Sequence, residues 1–259
     1  MINEEINIKE KIIAETTGPV INIKGLYKSF GKDNDVLKGV DLKVNKGENL
    51  VVLGKSGSGK SVTIKCLVGL VTADKGEIKV FDTDIATLNN DELNAVRVRI
   101  GFLFQNSALY DSMTVRQNLA FPLKRHVKKL SSKELEATIL EALESVGLAE
   151  AIDKMPSELS GGMRKRIGLA RTLILKPEIM LYDEPTTGLD TITSREISEL
   201  ILAIQKKNKT TSIIISHDMA CAKLTADRLV ILKDGVIVAE GNYDALEKSE
   251  DKWVRSFFN

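Results

Sequence analysis

The stretch NLVVLGKSGSGKS, residues 49–61, decides the fold of this chain. Its first five residues form a short apolar run, which is typical of a strand buried in a parallel sheet. Residues 54–61 fit the pattern G-x-x-x-x-G-K-S/T, in which glycines allow backbone N–H groups to point at phosphate oxygens. A helix predicted from Lys60 to about Leu70 adds the positive end of its dipole. The stretch therefore predicts a phosphate-binding loop between a buried strand and a helix.

Two side chains of this loop supply chemistry that backbone amides cannot. The Lys60 ammonium can bridge the β- and γ-phosphates of a nucleotide, and the Ser61 hydroxyl can ligate Mg²⁺. The alternative is a glycine turn with a purely structural role. The strand before the loop and the apolar-faced helix after it disfavour that alternative.

The composition predicts a soluble globular protein. The chain has 259 residues, 43% of them hydrophobic and 28% charged, which fits one large domain or one domain with an inserted subdomain. A net charge of +1 gives no basic field for nucleic acid. The two cysteines, Cys66 and Cys221, are expected to be reduced and buried. No apolar run approaches a membrane span and the N-terminus lacks a signal-peptide core, so we expect a cytoplasmic chain that reaches membranes through a partner.

Strands and helices alternate along the chain, which predicts an α/β core with a largely parallel sheet. Strands are predicted in VINIKGLYKSF, VDLKV, NLVVL, GEIKVF, RIGFLFQ, EIMLYDE, TSIIIS and the hairpin LVILKDGVIVAEG with its Asp-Gly turn. A capping box, Ser131 with Glu134, opens one helix, and further helices are predicted over about 163–175 and 193–205. Residues 1–18 are predicted to be a polar arm, and residues of about 107–164 an inserted helical subdomain.

Two carboxylates lie where an apolar strand ends, in IMLYDEP. In a parallel α/β sheet this edge is the ligand side. Asp183 can hold the Mg²⁺ shell through water, and Glu184 is then placed to orient or deprotonate an attacking water. A solvated turn or a helix N-cap is the alternative for this pair taken alone.

Three further features resemble parts of a nucleotide site but are weak singly. His217 follows the strand SIIIS and can contact a γ-phosphate, although a capped or surface histidine is the alternative. Gln105 ends the strand RIGFLF, where its amide oxygen can complete Mg²⁺ coordination. LSGGM, residues 159–163, is a second glycine-rich turn, in which a hydroxyl and backbone N–H groups at a helix N-terminus form another anion site. The other histidine, His126, is assigned to a solvated basic face.

The order of these motifs resembles that of ABC-type ATPases. GKSGSGKS, LFQ, LSGGM, IMLYDEPTTGLD and IIISH follow one another at that family's spacings, over residues of about 20–241. The resemblance implies an α/β P-loop NTPase (RecA-like) core with an antiparallel β subdomain and an inserted α-helical subdomain. The ATPase domain would then span residues 19–259, with the helical subdomain within it.

The resemblance also implies roles for individual residues, with ATP and Mg²⁺ as the ligands. Phe30 matches the aromatic residue that stacks on adenine, and His217 matches the switch histidine. The catalytic residues implied are Lys60, Glu184 and His217. The nucleotide-binding residues implied are Phe30, Gly54, Lys55, Ser56, Gly57, Ser58, Gly59, Lys60, Ser61, Val62, Gln105, Ser160, Gly161, Gly162 and Asp190. The Mg²⁺ ligands implied are Ser61, Gln105 and Asp183.

In this family the LSGGM-type signature closes over ATP held by a second subunit. The resemblance therefore implies a head-to-tail homodimer with two composite ATP sites about a two-fold axis, together with integral membrane permease subunits. Met163 stands where Gln is common, and Thr191 stands where Pro often follows Asp190. Neither change removes a phosphate-binding group, so activity is expected to survive.

The segments SALYDSMTV and FPL, with LSGGMRKRIGLAR and YDEPTTGLD, are similar to the ATPase of Mla-type lipid transporters. This similarity implies phospholipid transport between bacterial membranes, a lipid-binding partner subunit and a place on the cytoplasmic face of the inner membrane. Leu109, Tyr110 and Met113 are candidates for permease contact.

Three other functions stay open at this point. One is the same motor on another cargo, such as amino acids or a cell-division complex. Another is a soluble ABC ATPase acting on ribosomes or DNA, which the near-neutral charge and the lack of a coiled-coil insert disfavour. The last is a nucleotide-gated scaffold with little turnover, which the intact Lys60, Glu184 and His217 disfavour.

Overall fold

The computed structural model describes residues 18–31, 34–127 and 129–258, so the predicted arm over residues 1–18 lies outside them except for Gly18. The strands are β1 Ile21–Ser29, β2 Asp35–Val44, β3 Asn49–Leu53, β4 Lys75–Val80, β5 Thr83–Asp84, β6 Ile100–Leu103, β7 Ile179–Asp183, β8 Thr211–Ile215, β9 Arg228–Lys233 and β10 Val236–Gly241. The helices are α1 Lys60–Leu67, α2 Asn90–Val98, α3 Val115–His126, α4 Ser132–Glu144, α5 Gly161–Leu173, α6 Thr191–Asn208, α7 Met219–Thr225, α8 Tyr243–Glu247 and α9 Lys252–Arg255.

These elements divide into two compact units. The described residues up to Arg97 and from Ala226 onward form unit 1, and Val98–Thr225 form unit 2. Each unit holds its own part of the predicted site.

Unit 1 contains an antiparallel sheet in the order β2-β1-β4-β5. Strand β1 pairs with β2 on one side and β4 on the other, with Ile21 opposite both Val44 and Val80. Strand β3 runs parallel to β9, and β9 pairs antiparallel with β10. The predicted Asp-Gly hairpin is confirmed, since Asp234 and Gly235 both have positive φ, at 49° and 85°, as its tight turn requires.

The phosphate-loop helix α1 is shorter than its apolar pattern predicts. It begins at Lys60 as expected but ends at Leu67 instead of near Leu70. Gly69 has a φ of 65°, and the backbone N–H groups of Leu70 and Val71 both bond back to the carbonyl of Lys65. This left-handed glycine closes the helix end, so the apolar residues after it do not extend the helix.

Unit 2 contains the parallel strands β6, β7 and β8, with Ile179 of β7 opposite Ile100 on one side and Thr211 on the other. Every residue of β7 and β8 is buried, which confirms the prediction of buried parallel strands. The strand predicted to run to Gln105 stops at Leu103, so Gln105 lies in the turn that follows.

The helices of unit 2 begin at side chains that cap them. The predicted capping box is confirmed: the Ser131 hydroxyl accepts from the Glu134 N–H, and the Glu134 carboxylate accepts from the Ser131 N–H. Helices α5 and α6 each begin two residues earlier than predicted, because Ser160 and Asp190 act as their N-caps.

Two helices, α3 and α4, lie between β6 and the signature turn. The limits of 107–164 for a helical subdomain remain a prediction.

The cysteines and the aromatic residues near the C-terminus are both packed. Cys66 and Cys221 are both buried free thiols, and burial raises the pKa of Cys66 to about 11. Trp253, beside α9, makes an edge-on contact with Phe257 at 4.9 Å between ring centroids. The Lys233 ammonium lies 4.3 Å from the Trp253 ring, so this end packs against the β9–β10 hairpin. Within the described ranges, no helix is both long and apolar enough to cross a membrane.

The cap of α4 yields a test of the fold. Replacing Ser131 with Ala removes the side-chain acceptor at the helix N-terminus and should lower the free energy of unfolding by about 1 kcal/mol. Urea unfolding followed by circular dichroism measures the change. Ser132→Ala, one residue further on, is the matched control and should change stability by less than about 0.5 kcal/mol. Equal stability of the Ser131 variant and the natural chain would contradict a contribution from the cap.

Candidate active site

A backbone hydrogen bond within the predicted phosphate loop of unit 1 shapes the loop. It leaves the fully buried strand β3 and enters α1 through Gly59, whose φ of 103° is the left-handed conformation that favours glycine. The Ser58 N–H donates to the Lys55 carbonyl at 3.2 Å, which makes a tight turn at the tip. The loop therefore faces the N-terminus of α1, as an anion site requires.

Two glycines of the loop are required by space as well as by conformation. A Cβ on Gly54 would lie 2.4 Å from the backbone carbonyl oxygen of Leu232, in strand β9. A Cβ on Gly59 would lie 2.6 Å from a methyl carbon of Leu37. Neither neighbour can move away without a loss of stability, because the first is sheet backbone and the second is a fully buried side chain. Close packing thus explains why the pattern has glycine at these two positions.

Lys60 is buried and points back into the loop. Its ammonium donates to the carbonyl oxygens of Gly54, at 2.8 Å, and Lys55, at 3.0 Å. A buried lysine is costly unless its charge is compensated. Carbonyl dipoles contribute to that compensation, and an anionic phosphate is a stronger partner for an ammonium than a neutral carbonyl is.

Phe30 lies just after strand β1 in the same unit. Its ring is 47% exposed, and the Lys28 ammonium lies 5.3 Å from the ring centre. That ammonium is held by Asp74 at 2.7 Å. An exposed, positioned aromatic ring is available for stacking, which is what the predicted adenine contact needs.

In unit 2, Asp183 and Glu184 lie at the end of β7 but in different conformations. Asp183 is the last strand residue and is buried. Glu184 turns out of the strand with a φ of 51°, a left-handed conformation that is strained for a residue with a side chain. The Glu184 N–H still donates to the Ile215 carbonyl at the end of β8, at 3.0 Å. The turn therefore separates two adjacent carboxylates and presents each differently.

The Glu184 carboxylate is held by two neighbours. The Thr187 hydroxyl donates to its Oε2 at 2.6 Å, and His217 Nδ1 lies 2.8 Å from the same oxygen. The Glu184 side chain is 18% exposed, whereas that of His217 is 62% exposed. The structure thus brings two of the predicted catalytic residues into direct contact, with the histidine on the solvent side.

Lys165 connects the backbone of Glu184 to the backbone of the predicted Mg²⁺ ligand Gln105. Its ammonium donates to the backbone carbonyl of Gln105 and, at 3.3 Å, to that of Glu184. Burial lowers the pKa of Lys165, while the charges of Glu184 and then Asp183 favour its protonated form. The side chain of Gln105 itself is exposed.

The signature turn is exposed at the N-terminus of α5. Ser160 caps the helix, since its hydroxyl accepts from the Met163 N–H at 3.2 Å. Ser160 and Gly161 are both exposed, so the N-terminal end of α5 is accessible to a ligand. This is the arrangement that an anion site at a helix N-terminus needs.

The signature turn packs against the segment that holds Asp190. A Cβ on Gly162 would lie 2.7 Å from the Thr193 methyl carbon, so a larger residue does not fit without a shift. Asp190 accepts from the Thr193 hydroxyl and backbone N–H, at 2.6 and 2.9 Å, and these bonds lower the pKa of Asp190. The predicted nucleotide-binding residues Gly162 and Asp190 are therefore brought to one place.

The sequence interpretation missed Lys165 and Thr187. In the sequence, Lys165 belongs to the basic run MRKR, which is typical of an exposed helix face. The available signal was its position three residues before Gly168, on the face of α5 that packs closely: a Cβ on Gly168 would lie 2.8 Å from the Cβ of Ser107. Thr187 carried no signal except its distance of three residues from Glu184.

Comparison with known proteins identifies the family. The ABC transporter family matches residues 37–187 of this chain. The ATP-binding cassette MJ0796, solved as a dimer in a post-hydrolysis state with ADP and Pi, is 30% identical, with 86% of this chain and 98% of that chain covered and a TM-score of 0.79. The chain belongs to the ABC transporter family of ATP-binding proteins. It is an ATPase that uses ATP with Mg²⁺, and the predicted fold class is confirmed.

Curated relatives differ in the cargo that their names give. A probable ribonucleotide transport ATP-binding protein of Mycobacterium leprae is 41% identical, over 93% of this chain and 69% of its own length. The protein trigalactosyldiacylglycerol 3 of Arabidopsis thaliana is 37% identical, over 96% and 76%. A methionine import ATP-binding protein of Rhizobium etli is 40% identical, over 86% and 61%. Similarity alone therefore leaves the cargo unassigned.

The role of Lys60 can be tested against a lysine in the same loop. Lys60→Ala removes a buried ammonium and should weaken ATP binding at least about tenfold, since a charge-assisted contact contributes roughly 1.5–3 kcal/mol. Lys55→Ala removes the same charge from an exposed side chain and should change the affinity far less. Titration with a fluorescent ATP analogue measures both. Equal losses in the two variants would contradict a specific role for Lys60.

Proposed function

We propose that this chain is the ATPase subunit of a bacterial lipid transporter, acting as a homodimer on the cytoplasmic face of the inner membrane through permease subunits. The observation that carries the ATPase chemistry is the Glu184 carboxylate, which Thr187 and His217 hold at the end of a buried strand. A carboxylate fixed in this way has one oriented oxygen left to accept a proton or a water.

In the proposed reaction, Glu184 orients the attacking water and accepts its proton. Its low exposure limits competing solvent, and its two neighbours remove the freedom to rotate away. His217, on the solvent side of Glu184, contacts the γ-phosphate and holds the carboxylate in place. Removal of the histidine would take away one of these two contacts of the Glu184 carboxylate.

The remaining roles concern the nucleotide. Lys60 binds the β- and γ-phosphates, backbone N–H groups of residues 54–62 cradle them, and Phe30 stacks on the adenine. Ser61, Gln105 and Asp183 would hold Mg²⁺, and hydroxyl, amide and carboxylate oxygens are the hard ligands that this ion prefers. The ion would neutralise phosphate charge when bound.

The signature turn is proposed to serve the ATP of a second copy of the chain. Its exposed residues Ser160 and Gly161, at a helix N-terminus, are suited to a phosphate that arrives from outside this chain. The MJ0796 cassette, which is dimeric, supports a pair of chains. Binding of ATP between two chains would close the pair, and hydrolysis would release it.

The variant Glu184→Gln separates binding from hydrolysis. The amide keeps the shape of the side chain but cannot take a proton, so turnover should fall at least about a hundredfold while ATP binding persists. With ATP and Mg²⁺ the variant should elute as a dimer in size-exclusion chromatography. Glu178→Gln, which alters an exposed carboxylate paired with Arg99, is the control and should stay active. A monomeric variant with full ATPase activity would contradict the mechanism.

The lipid assignment is supported by one relative and by the resemblance of several segments. The Arabidopsis relative, aligned over 96% of this chain, is named after a diacylglycerol glycolipid. The segment after Gln105 that carries the resemblance includes Tyr110, which is exposed and packs on Phe121 at 5.1 Å between ring centroids. Arg171 lies over the Tyr110 ring at 5.8 Å, so this apolar surface is held in place for a permease contact.

A second candidate is the same motor on a small polar cargo. The relatives named for ribonucleotide transport and methionine import, at 41% and 40% identity, favour it. Purification of the tagged chain with its membrane partners decides between the two. The lipid proposal expects a lipid-binding subunit and bound phospholipid in the purified complex. A permease with neither would contradict it and support the small-cargo candidate.

A further inference from the structure

A buried cation on the signature helix is used by none of the roles above. Lys165 is 6% exposed and lies on α5, four residues beyond Gly161 and so on the same face of the helix. Its long side chain has no exposed position for its charge, so the charge must be satisfied inside unit 2.

Two backbone carbonyls at functional positions accept hydrogen bonds from this ammonium. One belongs to Gln105, in the turn after β6, and the other to Glu184, in the turn after β7. Backbone acceptors differ from side-chain acceptors because they fix where a residue lies without occupying its functional group. The Gln105 amide and the Glu184 carboxylate stay available for nucleotide and water.

We propose that Lys165 is a positioning residue that holds Gln105 and Glu184 in register with the signature helix. The proposal rests on the roles proposed for Glu184 and Gln105 in ATP hydrolysis. Lys165 touches no reacting atom. It acts through the backbone of the two residues that do.

Glu184 is the residue most dependent on such support. Its left-handed φ of 51° is strained, and a strained conformation persists only when its surroundings hold it. On the N–H side the Glu184 backbone is held by Ile215, and on the C=O side by the Thr187 N–H and the Lys165 ammonium, both at 3.3 Å. Without Lys165 the peptide after Glu184 loses its charged donor, so the strained turn that aims the carboxylate is held less firmly.

The Gln105 turn is also bound to α5 over a longer stretch. Arg171 donates to the carbonyls of Ser107 and Ala108 at 3.1 and 2.8 Å, and these two residues have positive φ values of 59° and 47°. Gly168 lies between the two cations and allows the turn to approach the helix closely. A displacement of α5 would therefore be transmitted to this turn, and Lys165 is the contact that carries it on to Glu184.

The test is Lys165→Met, which keeps the length and burial of the side chain but removes its donors. The turnover number should fall at least about tenfold, while the affinity for ATP changes less than about threefold. Lys165→Arg, which keeps a buried cationic donor, should recover part of the loss. Thermal unfolding of every variant, followed by circular dichroism, identifies any that fail to fold.

The control is Arg166→Met on the same helix. Arg166 donates to the Val146 carbonyl and pairs with Glu196 at 2.8 Å, so the variant loses a comparable pair of contacts away from Gln105 and Glu184. We expect its turnover to stay within about twofold of the natural chain. An equal fall in both variants would overturn the proposal, because Lys165 would then be only a structural contact.

A double-variant cycle distinguishes this inference from the proposed function. If Lys165 acts through Glu184 and Gln105, Lys165→Met should cost less in single-turnover rate when Glu184→Gln or Gln105→Ala is already present. The same fold-loss in all three backgrounds would overturn the positioning role. Full activity of Glu184→Gln alone would instead overturn the proposed function.

Discussion

The strained turn at Glu184 is the constraint on which the rest of the site depends. A buried strand delivers Asp183 and Glu184 to its end, and the chain leaves the strand at Glu184 through a left-handed conformation. Such a conformation costs roughly 1–3 kcal/mol and needs support from several directions. Four residues supply that support. Ile215 accepts from the Glu184 N–H, and Lys165 donates to the Glu184 carbonyl. Thr187 and His217 contact its carboxylate.

The two glycine-rich turns of the chain differ in a way that explains why it has both. The loop at residues 54–59 is packed against its own unit, where Gly54 and Gly59 have no room for a side chain and Lys60 is folded inward. The turn at residues 159–163 instead presents Ser160 and Gly161 to the outside. We propose that the first holds a phosphate of the chain's own nucleotide and that the second serves a phosphate that another chain brings. Met163 donates its backbone N–H to the cap, so its side chain can vary without loss of the cap.

Much of the fold was predictable because local and tertiary signals agree. The run NLVVL matches β3 residue for residue, and the Ser131 cap begins α4 where expected. The predictions are wrong at the ends of elements, where a single residue sets the boundary. Gly69 ends α1 earlier than predicted, and Asp190 begins α6 earlier than predicted. The helix α2, Asn90–Val98, was missed because its residues are largely polar and only Val96 is buried.

The candidate site was predictable as a set of motifs but not as a set of contacts. Spacing in the sequence identifies Glu184 and His217 separately, yet their 2.8 Å contact depends on two strand ends meeting at one edge of the sheet. The contacts of Lys165 could not be predicted for a related reason. Its neighbours are Gln105 and Glu184, which are 60 and 19 residues away, so no local pattern reports them.

The central claim is that the signature turn of one chain completes the ATP site of another, and mixing two inactive variants tests it directly. Gly161→Asp adds a negative charge at an exposed position with room for a Cβ, so the fold should tolerate it. Lys60→Ala disables the phosphate loop. If sites are shared between chains, a mixture of the two variants contains one intact composite site and should hydrolyse ATP, although neither variant does alone. A mixture as inactive as its components would contradict the account.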